Sequence, residues 1–464
     1  MRMSDFDILT ERPYFLLFRR FPTDFSEKRL QLPAVCAILK RLKVRKNTEK
    51  NMNQQKNNAV VGQSGGPTSA INATLAGVIR GAVKAHGEGK IGTLYGMRHG
   101  IEGLLSEEMV DLLDIFREES DLDTLALTPA AALGSCRKKL KPFREDETVY
   151  RRLFEIFEKY DIHFFFYIGG NDSMDTVAKL SAYAATVRYP LTVVGVPKTI
   201  DNDLAGTDHT PGFGSAAKYI AATMREILSD TAVYTVRAVT IVEIMGRDAG
   251  WLTAAAALPG LSGGRAPDLL YFPERPFDKD AFLSSVNAAF EKHPNVVVAI
   301  SEGARYADGT YVGASAQSGA TDAFGHQYLA GAGKVLEHIV REEIGCKVRS
   351  VELNLPQRCA AHLASRTDIE ESLRIGAAAV SAAVRGESGV IMSFERLSDE
   401  PYRTDIRAER VDGVANAVRP LPDAFINAAG NGVTDACLRY LAPLIRGEVE
   451  PKYEDGMPVH FVLP

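Results

Sequence analysis

The chain is short of the features that mark specialised protein classes. Its 464 residues hold five Cys, none in a CxxC pair and none at metal-ligand spacing. Neither a disulfide scaffold nor a zinc module is indicated, and free thiols in a reducing compartment are expected. No apolar run reaches the length of a membrane-spanning helix; the longest, such as 164–168, are strand-sized. Positive charge is not in excess, and a formal net charge of −5 leaves no electrostatic case for nucleic acid or an anionic membrane. No GxxxxGK[ST] phosphate loop occurs: Gly331-Ala-Gly333-Lys334 has Tyr328 where that motif needs its first glycine, and reads as a helix with small residues. No repeat of solenoid period is present.

What is present fits an ordinary globular enzyme. Hydrophobic residues make up 45% and charged residues 24%, enough for a sizeable core. The length suggests two domains, and a cytoplasmic enzyme is the expected class. The first 57 residues differ from the rest, with 13 Lys/Arg against 6 Asp/Glu, which leaves the remaining 407 residues at −12. The stretch 39–58 is basic, then rich in Asn and Gln. Asp5, Asp7 and Glu11 argue against a transit peptide. A poorly ordered or spurious extension is expected over 1–57, with Met52 as an alternative start.

From Asn58 onward, short apolar runs alternate with helical patterns, as in a parallel α/β sheet. Strands are expected at 59–61, 162–168, 191–196, 239–244 and 296–300. After the first of them, Ile71, Leu75, Val78, Ile79 and Ala82 form one apolar helical stripe. A helix is expected over 173–187. The tail from about Glu370 reads as Ala-rich helix, then as irregular chain with Pro401, Pro420 and Pro422.

Ligands of doubly wound sheets bind where strands end and helices begin, and four strand ends carry unusual residues. Gly62-Gln-Ser-Gly-Gly-Pro67 would let backbone N–H groups approach a phosphate, although a plain turn capped by Thr68 or Ser69 has the same composition. Gly169-Gly-Asn-Asp-Ser173 places a carboxylate at a helix start. There it caps the helix, works with a divalent cation, or excludes a competing anion. In Pro197-Lys-Thr-Ile-Asp-Asn-Asp203, one Asp can accept a hydroxyl proton while the other orders metal-bound water; Asp-Asn-Asp is also ordinary turn chemistry. In Glu243-Ile-Met-Gly-Arg-Asp-Ala-Gly-Trp251, Arg247 is set to hold a phosphate or sugar oxygen, or to bridge to Asp248.

In this order and at these separations, the motifs closely resemble the phosphofructokinase family. The resemblance runs from about Asn58 to Arg366, with a weaker continuation to the end, and includes Gly134-Ser-Cys-Arg137, Ser301-Glu-Gly303, Arg349 and Gln357-Arg358. It implies two similar Rossmann-like parallel-sheet α/β domains with an interleaved chain. Residues 58–211 would form the donor domain and 212–357 the sugar-phosphate domain, and 358–464 would return to the first and extend beyond it. It implies Asp201 as the base for the sugar 1-hydroxyl, Thr199 at the transferring phosphoryl group and Arg137 as a neutraliser of its charge. Ile200 falls in the same substrate-binding stretch. Met245, Gly246 and Arg247 would hold fructose 6-phosphate, Glu302 a sugar hydroxyl, and Arg349 and Arg358 the sugar phosphate. Arg349 would reach in from a neighbouring subunit of a homodimer or homotetramer, and Gly65 would lie against the donor phosphate.

The resemblance also bears on the donor. Members that use ATP generally have Gly where Asp172 and Lys198 stand, whereas those that use pyrophosphate resemble this sequence at both. An Asp in the space of a nucleotide α-phosphate adds bulk and like charge, and Lys198 supplies the charge that pyrophosphate needs. The implied reaction is Mg²⁺-dependent and reversible, from pyrophosphate to fructose 6-phosphate. The alternatives are the same chemistry with ATP, or a non-catalytic regulatory subunit. Three departures stand out: Asn171 replaces the usual acidic residue, leaving Asp172 or Asp203 to take up part of its metal-binding duty, with Asn171 and Asp203 as the expected metal residues; Leu355 replaces a His or Tyr; and Ala238, with Arg237 beside it, replaces an Arg.

Overall fold

A computed structural model describes residues 57–316, 331–414 and 417–464. The extension expected over 1–57 lies outside them except for Asn57, as does Tyr328. Among the described residues two main sheets form. In the first, β1 (Asn58–Gln63), β2 (Leu94–Met97), β4 (Ile162–Gly169), β5 (Thr192–Pro197) and β10 (Val390–Asp399) run parallel in the order β10-β5-β4-β1-β2. The edges are antiparallel: β3 (Met109–Asp111) beside β2, and β11 (Tyr402–Arg410) beside β10. The second sheet is parallel throughout, in the order β7 (Leu269–Tyr271), β8 (Asn295–Ser301), β6 (Ala238–Ile244), β9 (Lys347–Glu352). The helices that matter for the site are α1 (Ile71–Gly87), α2 (Asn171–Val187), α3 (Phe213–Thr231), α4 (Ala332–Glu343) and α5 (Arg366–Val384). None of the helices is long and apolar enough to cross a membrane, among the described residues.

The strands are apolar on both faces because helices cover both faces. Ala59, Val61, Phe166, Ile168, Val194 and Val196 pack with α1 and α5, while Val60, Phe165, Tyr167 and Val193 alternate into a core shared with α2. The expected stripe on α1, from Ile71 to Ala82, is wholly buried. Here α1 crosses α5 closely enough to need glycine on both helices. A Cβ on Gly376 would lie 2.2 Å from the Thr74 carbonyl oxygen, and one on Gly77 would lie 2.2 Å from that of Leu373.

Two expectations change. The helix after β4 begins at Asn171, so Asn171 and Asp172 belong to its first turn. The tail after α5 is irregular only beyond residue 410: 390–410 form the β10–β11 hairpin, which turns at Glu400-Pro401 and extends the first sheet through β5. Pro401 sits at that turn, and Pro420 and Pro422 lie beyond the hairpin, where a missing N–H breaks no ladder bond.

The chain leaves the first sheet along α3 and returns along α5, and one buried carboxylate ties the two starts together. Asp368 accepts from Gly212 N (2.9 Å), Ser215 N (2.9 Å) and Ser215 Oγ (2.5 Å). Nearby, buried His209 lies between Asp208 (Nδ1, 2.8 Å) and Glu371 (Nε2, 2.8 Å) and stacks on Phe394. Burial pulls the His209 pKa down, but Glu371 and Asp208 outweigh it and hold the ring up at about 9.

The imidazolium therefore stabilises the fold fully below about pH 6.5, and this is lost as pH rises through about 9, by on the order of 3 kcal/mol. In urea unfolding at pH 6.5 and 9.5, wild type is expected to lose about that much more stability than His209→Gln, a difference that cancels the other groups titrating in this range.

Candidate active site

The C-terminal ends of β1, β4, β5, β6 and β8 meet around one pocket of about 460 Å³. Each end is shaped by backbone chemistry that local sequence dictates. After β1, fully buried Gln63 donates to Asn72 Oδ1 (2.9 Å) and accepts from Leu133 N (2.9 Å). Asn72 in turn accepts from Ala132 N (2.9 Å) and donates to the Thr128 carbonyl (2.9 Å). This amide pair fastens 128–133, and so the Arg137 loop, to the start of α1. Ser135 Oγ then donates to the Gly65 carbonyl (2.7 Å), and Gly65 N to that of Cys136 (3.2 Å). Gly65 has φ +77°, a conformation that favours glycine, and any Cβ there would lie 3.2 Å from Lys198 Nζ.

At the end of β4 the chain enters α2 without a side-chain cap, so Asp172 is free to point elsewhere. It pairs with Lys139 at 3.3 Å. The Asn171 side-chain oxygen, Oδ1, is buried with no hydrogen-bond partner among the described residues. After β5, Lys198 is 3% exposed and donates to the Gly66 carbonyl (2.7 Å). Thr199 Oγ1 donates to Asp201 Oδ2 (3.2 Å) and accepts from Asp201 N (3.1 Å), closing a tight turn. Asn202 follows with φ +55° and is fully buried.

On the second sheet, Met245 N donates to Gln357 Oε1 (3.1 Å) and Gly246 N to Glu302 Oε1 (3.2 Å). Ser301 Oγ donates to the Gly246 carbonyl (2.5 Å). Asp248 pairs with Arg305 at 2.6 Å.

The electrostatics follow from this crowding. Burial pushes Lys198 down to about 8, with Asp201 pulling the other way. Burial raises Asp201 against its hydrogen bond from Thr199; the side chain is only half-buried, because it faces the pocket. Asp203 rises to about 7 through burial and then repulsion from Asp201, and Glu302 rises to about 8 through burial. The arrangement joins glycine turns and cations suited to phosphate with a carboxylate able to take a proton at neutral pH.

Of the expected site residues, Gly65, Arg137, Asn171, Asp172, Lys198, Thr199, Ile200, Asp201, Asp203, Met245, Arg247, Glu302 and Arg358 line this pocket. Gly246 lies just behind it through its bond to Glu302. Arg349 does not join them: it is exposed on β9, beside a separate pocket of about 290 Å³ that Ala238 and Lys347 also line. Arg237 is stacked on Phe290 at 4.2 Å. Lys139 and Val418 are pocket residues that sequence reading missed; for Lys139 its position two residues after Arg137 was the available signal, and for Val418 there was none.

A sequence model of the family described as Phosphofructokinase matches residues 58–383, and the chain belongs to that family. It is 44% identical over 405 residues to the pyrophosphate–fructose 6-phosphate 1-phosphotransferase of Halomonas elongata, covering 86% of this chain and 94% of that one. The protein of the same name from Xanthomonas campestris is 45% identical over 409 residues, with 88% and 96% covered. Among solved structures, the pyrophosphate-dependent phosphofructokinase of Nitrosospira multiformis superposes with TM-score 0.78 at 40% identity, with 87% and 96% covered.

Gln63→Leu removes a partner from two buried groups, Leu133 N and Asn72 Oδ1. It is expected to lower unfolding free energy by about 2 kcal/mol in urea titration.

Proposed function

We propose that the protein transfers a phosphoryl group from pyrophosphate to the 1-hydroxyl of fructose 6-phosphate, giving fructose 1,6-bisphosphate and phosphate, reversibly and in the cytoplasm. The observation that carries this reading is the donor end of the pocket, where buried Lys198 lies against the Gly65-Gly66 turn and Asp172 stands beside Lys139. Lys198 puts positive charge where a short inorganic donor needs it. Asp172 sets bulk and negative charge against a nucleotide's further phosphate. The names of the relatives support the same donor, and nothing favours the ATP alternative. The regulatory-subunit alternative is disfavoured because Thr199, Asp201, Asp203 and Arg247 are all retained in one pocket.

In the forward direction, Asp201 takes the proton of the 1-hydroxyl as that oxygen attacks phosphorus and the phosphate–phosphate bond breaks. Thr199 orients Asp201 and contacts the moving group. Arg137 and Lys198 offset charge on the transferring and leaving phosphates. Met245, Gly246 and Arg247 seat the sugar, Glu302 receives a sugar hydroxyl, and Arg358 holds the 6-phosphate.

The residues present fit Mg²⁺. The unpartnered Asn171 oxygen and the Asp203 carboxylate are hard donors facing one pocket. Among the described residues no three His, Cys, Asp or Glu side chains group as a metal site, so substrate oxygens and water would complete the shell. When bound, Mg²⁺ supplies charge neutralisation of pyrophosphate. Arg349, exposed away from this pocket, is assigned to the sugar-phosphate site of a neighbouring subunit in a homodimer or homotetramer.

A coupled assay with Mg²⁺ and each donor tests the reading: turnover with pyrophosphate is expected, and robust turnover with ATP alone would overturn it. Asp201→Ser is expected to lower kcat by about 10²–10⁴-fold. Because Lys198 loses its proton near pH 8, kcat/KM for pyrophosphate is expected to fall above that pH. Lys198→Arg should extend the plateau, since guanidinium stays charged.

A further inference from the structure

We propose that Arg419 is a positioning residue for the phosphoryl transfer proposed above, on which this inference rests, holding the Asp201-Asn202-Asp203 turn in its working shape from behind the pocket. Arg419 lies beyond the 58–383 stretch that the family model matches, and it is not among the residues lining the pocket.

The turn needs an external brace. Asn202 is fully buried and sits at φ +55°, a left-handed region that few residues besides glycine enter and in which Asn is among the best tolerated. Its left-handed geometry lets both flanking Asp side chains reach the pocket, yet it takes the local carbonyls out of any strand ladder. Arg419 supplies the missing partners. Its Nη2 donates to the Asn202 carbonyl (3.1 Å), and its Nη1 donates to the carbonyls of Thr207 (2.9 Å) and Asp208. Its backbone N–H donates to the Asp203 carbonyl (2.7 Å). One residue thus closes four carbonyls of the segment that carries both carboxylates.

Arg419 is itself held. Its guanidinium lies over the Trp251 ring at 4.5 Å, and Trp251 Nε1 donates back to the Arg419 carbonyl (3.1 Å). Tyr440 hydroxyl donates to the Asp208 carbonyl (2.6 Å) and accepts from Asn202 Nδ2 (3.3 Å), reinforcing the same loop. Trp251 follows the Met245–Arg247 segment by four residues, so the brace spans loops from both sheets. Beside it, Val418 bridges antiparallel to Leu204 and borders the pocket. A planar fork is what several divergent carbonyls require, and an ammonium reaches fewer of them at once.

The test is a cycle in the full-length protein: Arg419→Met alone, and Arg419→Met combined with Asp201→Asn, assayed with pyrophosphate, fructose 6-phosphate and Mg²⁺. Arg419→Met keeps an apolar stem against Trp251. It is expected to lower kcat about 30-fold or more while both KM values stay within about 3-fold. With Asp201→Asn already in place, the further loss is expected to be under about 3-fold, because the brace acts through that carboxylate. Unchanged kcat, an equal loss in both backgrounds, or KM values that rise in step with the loss would overturn the inference. Should Arg419→Met fail to fold, Arg419→Lys answers by the same comparison, with an intermediate loss expected. A wild type inert with pyrophosphate would overturn the functional reading instead.

Discussion

Two carboxylates one residue apart, facing the same poorly solvated pocket, repel each other, and much of the surrounding structure answers to that repulsion. Burial raises Asp201, burial and then the Asp201 charge raise Asp203, and Glu302 is raised nearby by its own burial. Lys198, Arg137, Arg247 and Arg358 line the same cavity. Such a mixture is stable only if geometry keeps each charge near its opposite and away from its like. The Thr199 hydroxyl, the left-handed Asn202 and the contacts of the C-terminal segment meet that demand.

Position is set by the sheets and refined by polar contacts at their ends. Strands β1, β4 and β5 present adjacent ends because they are hydrogen-bonded neighbours, which brings three motifs distant in sequence to within one side chain of each other. The Gln63–Asn72 pair then binds the Arg137 loop to the first turn. Such fully satisfied buried networks rigidify a site, while one left half satisfied would be costly.

Much of this was legible in the residues. Apolar runs bounded by glycine revealed the inner strands, because strands covered on both faces need no polar alternation. The four strand-end motifs revealed most of the pocket, because phosphate sites draw on a narrow set of side chains. What stayed hidden depends on tertiary context. The β10–β11 hairpin was concealed by Pro401 and by exposed alternate residues along β11, which resemble loop when no neighbour strand is known. Lys139 carries no motif of its own and acquires meaning only from Asp172 across the pocket. Asp248 pairs with Arg305, more than fifty residues on, a contact that sequence spacing does not suggest.

The interleaving of the chain has a consequence for how the protein is made. Residues 58–197 emerge from the ribosome before the second sheet, yet their sheet lacks β10 and α1 lacks its partner α5 until residues 366–399 have been synthesised. The second sheet uses strands between 238 and 352 only and can close while synthesis continues. Vectorial synthesis thus exposes the glycine-notched face of α1 for most of translation, with late long-range pairing as the slow step. The half translated first is the half completed last.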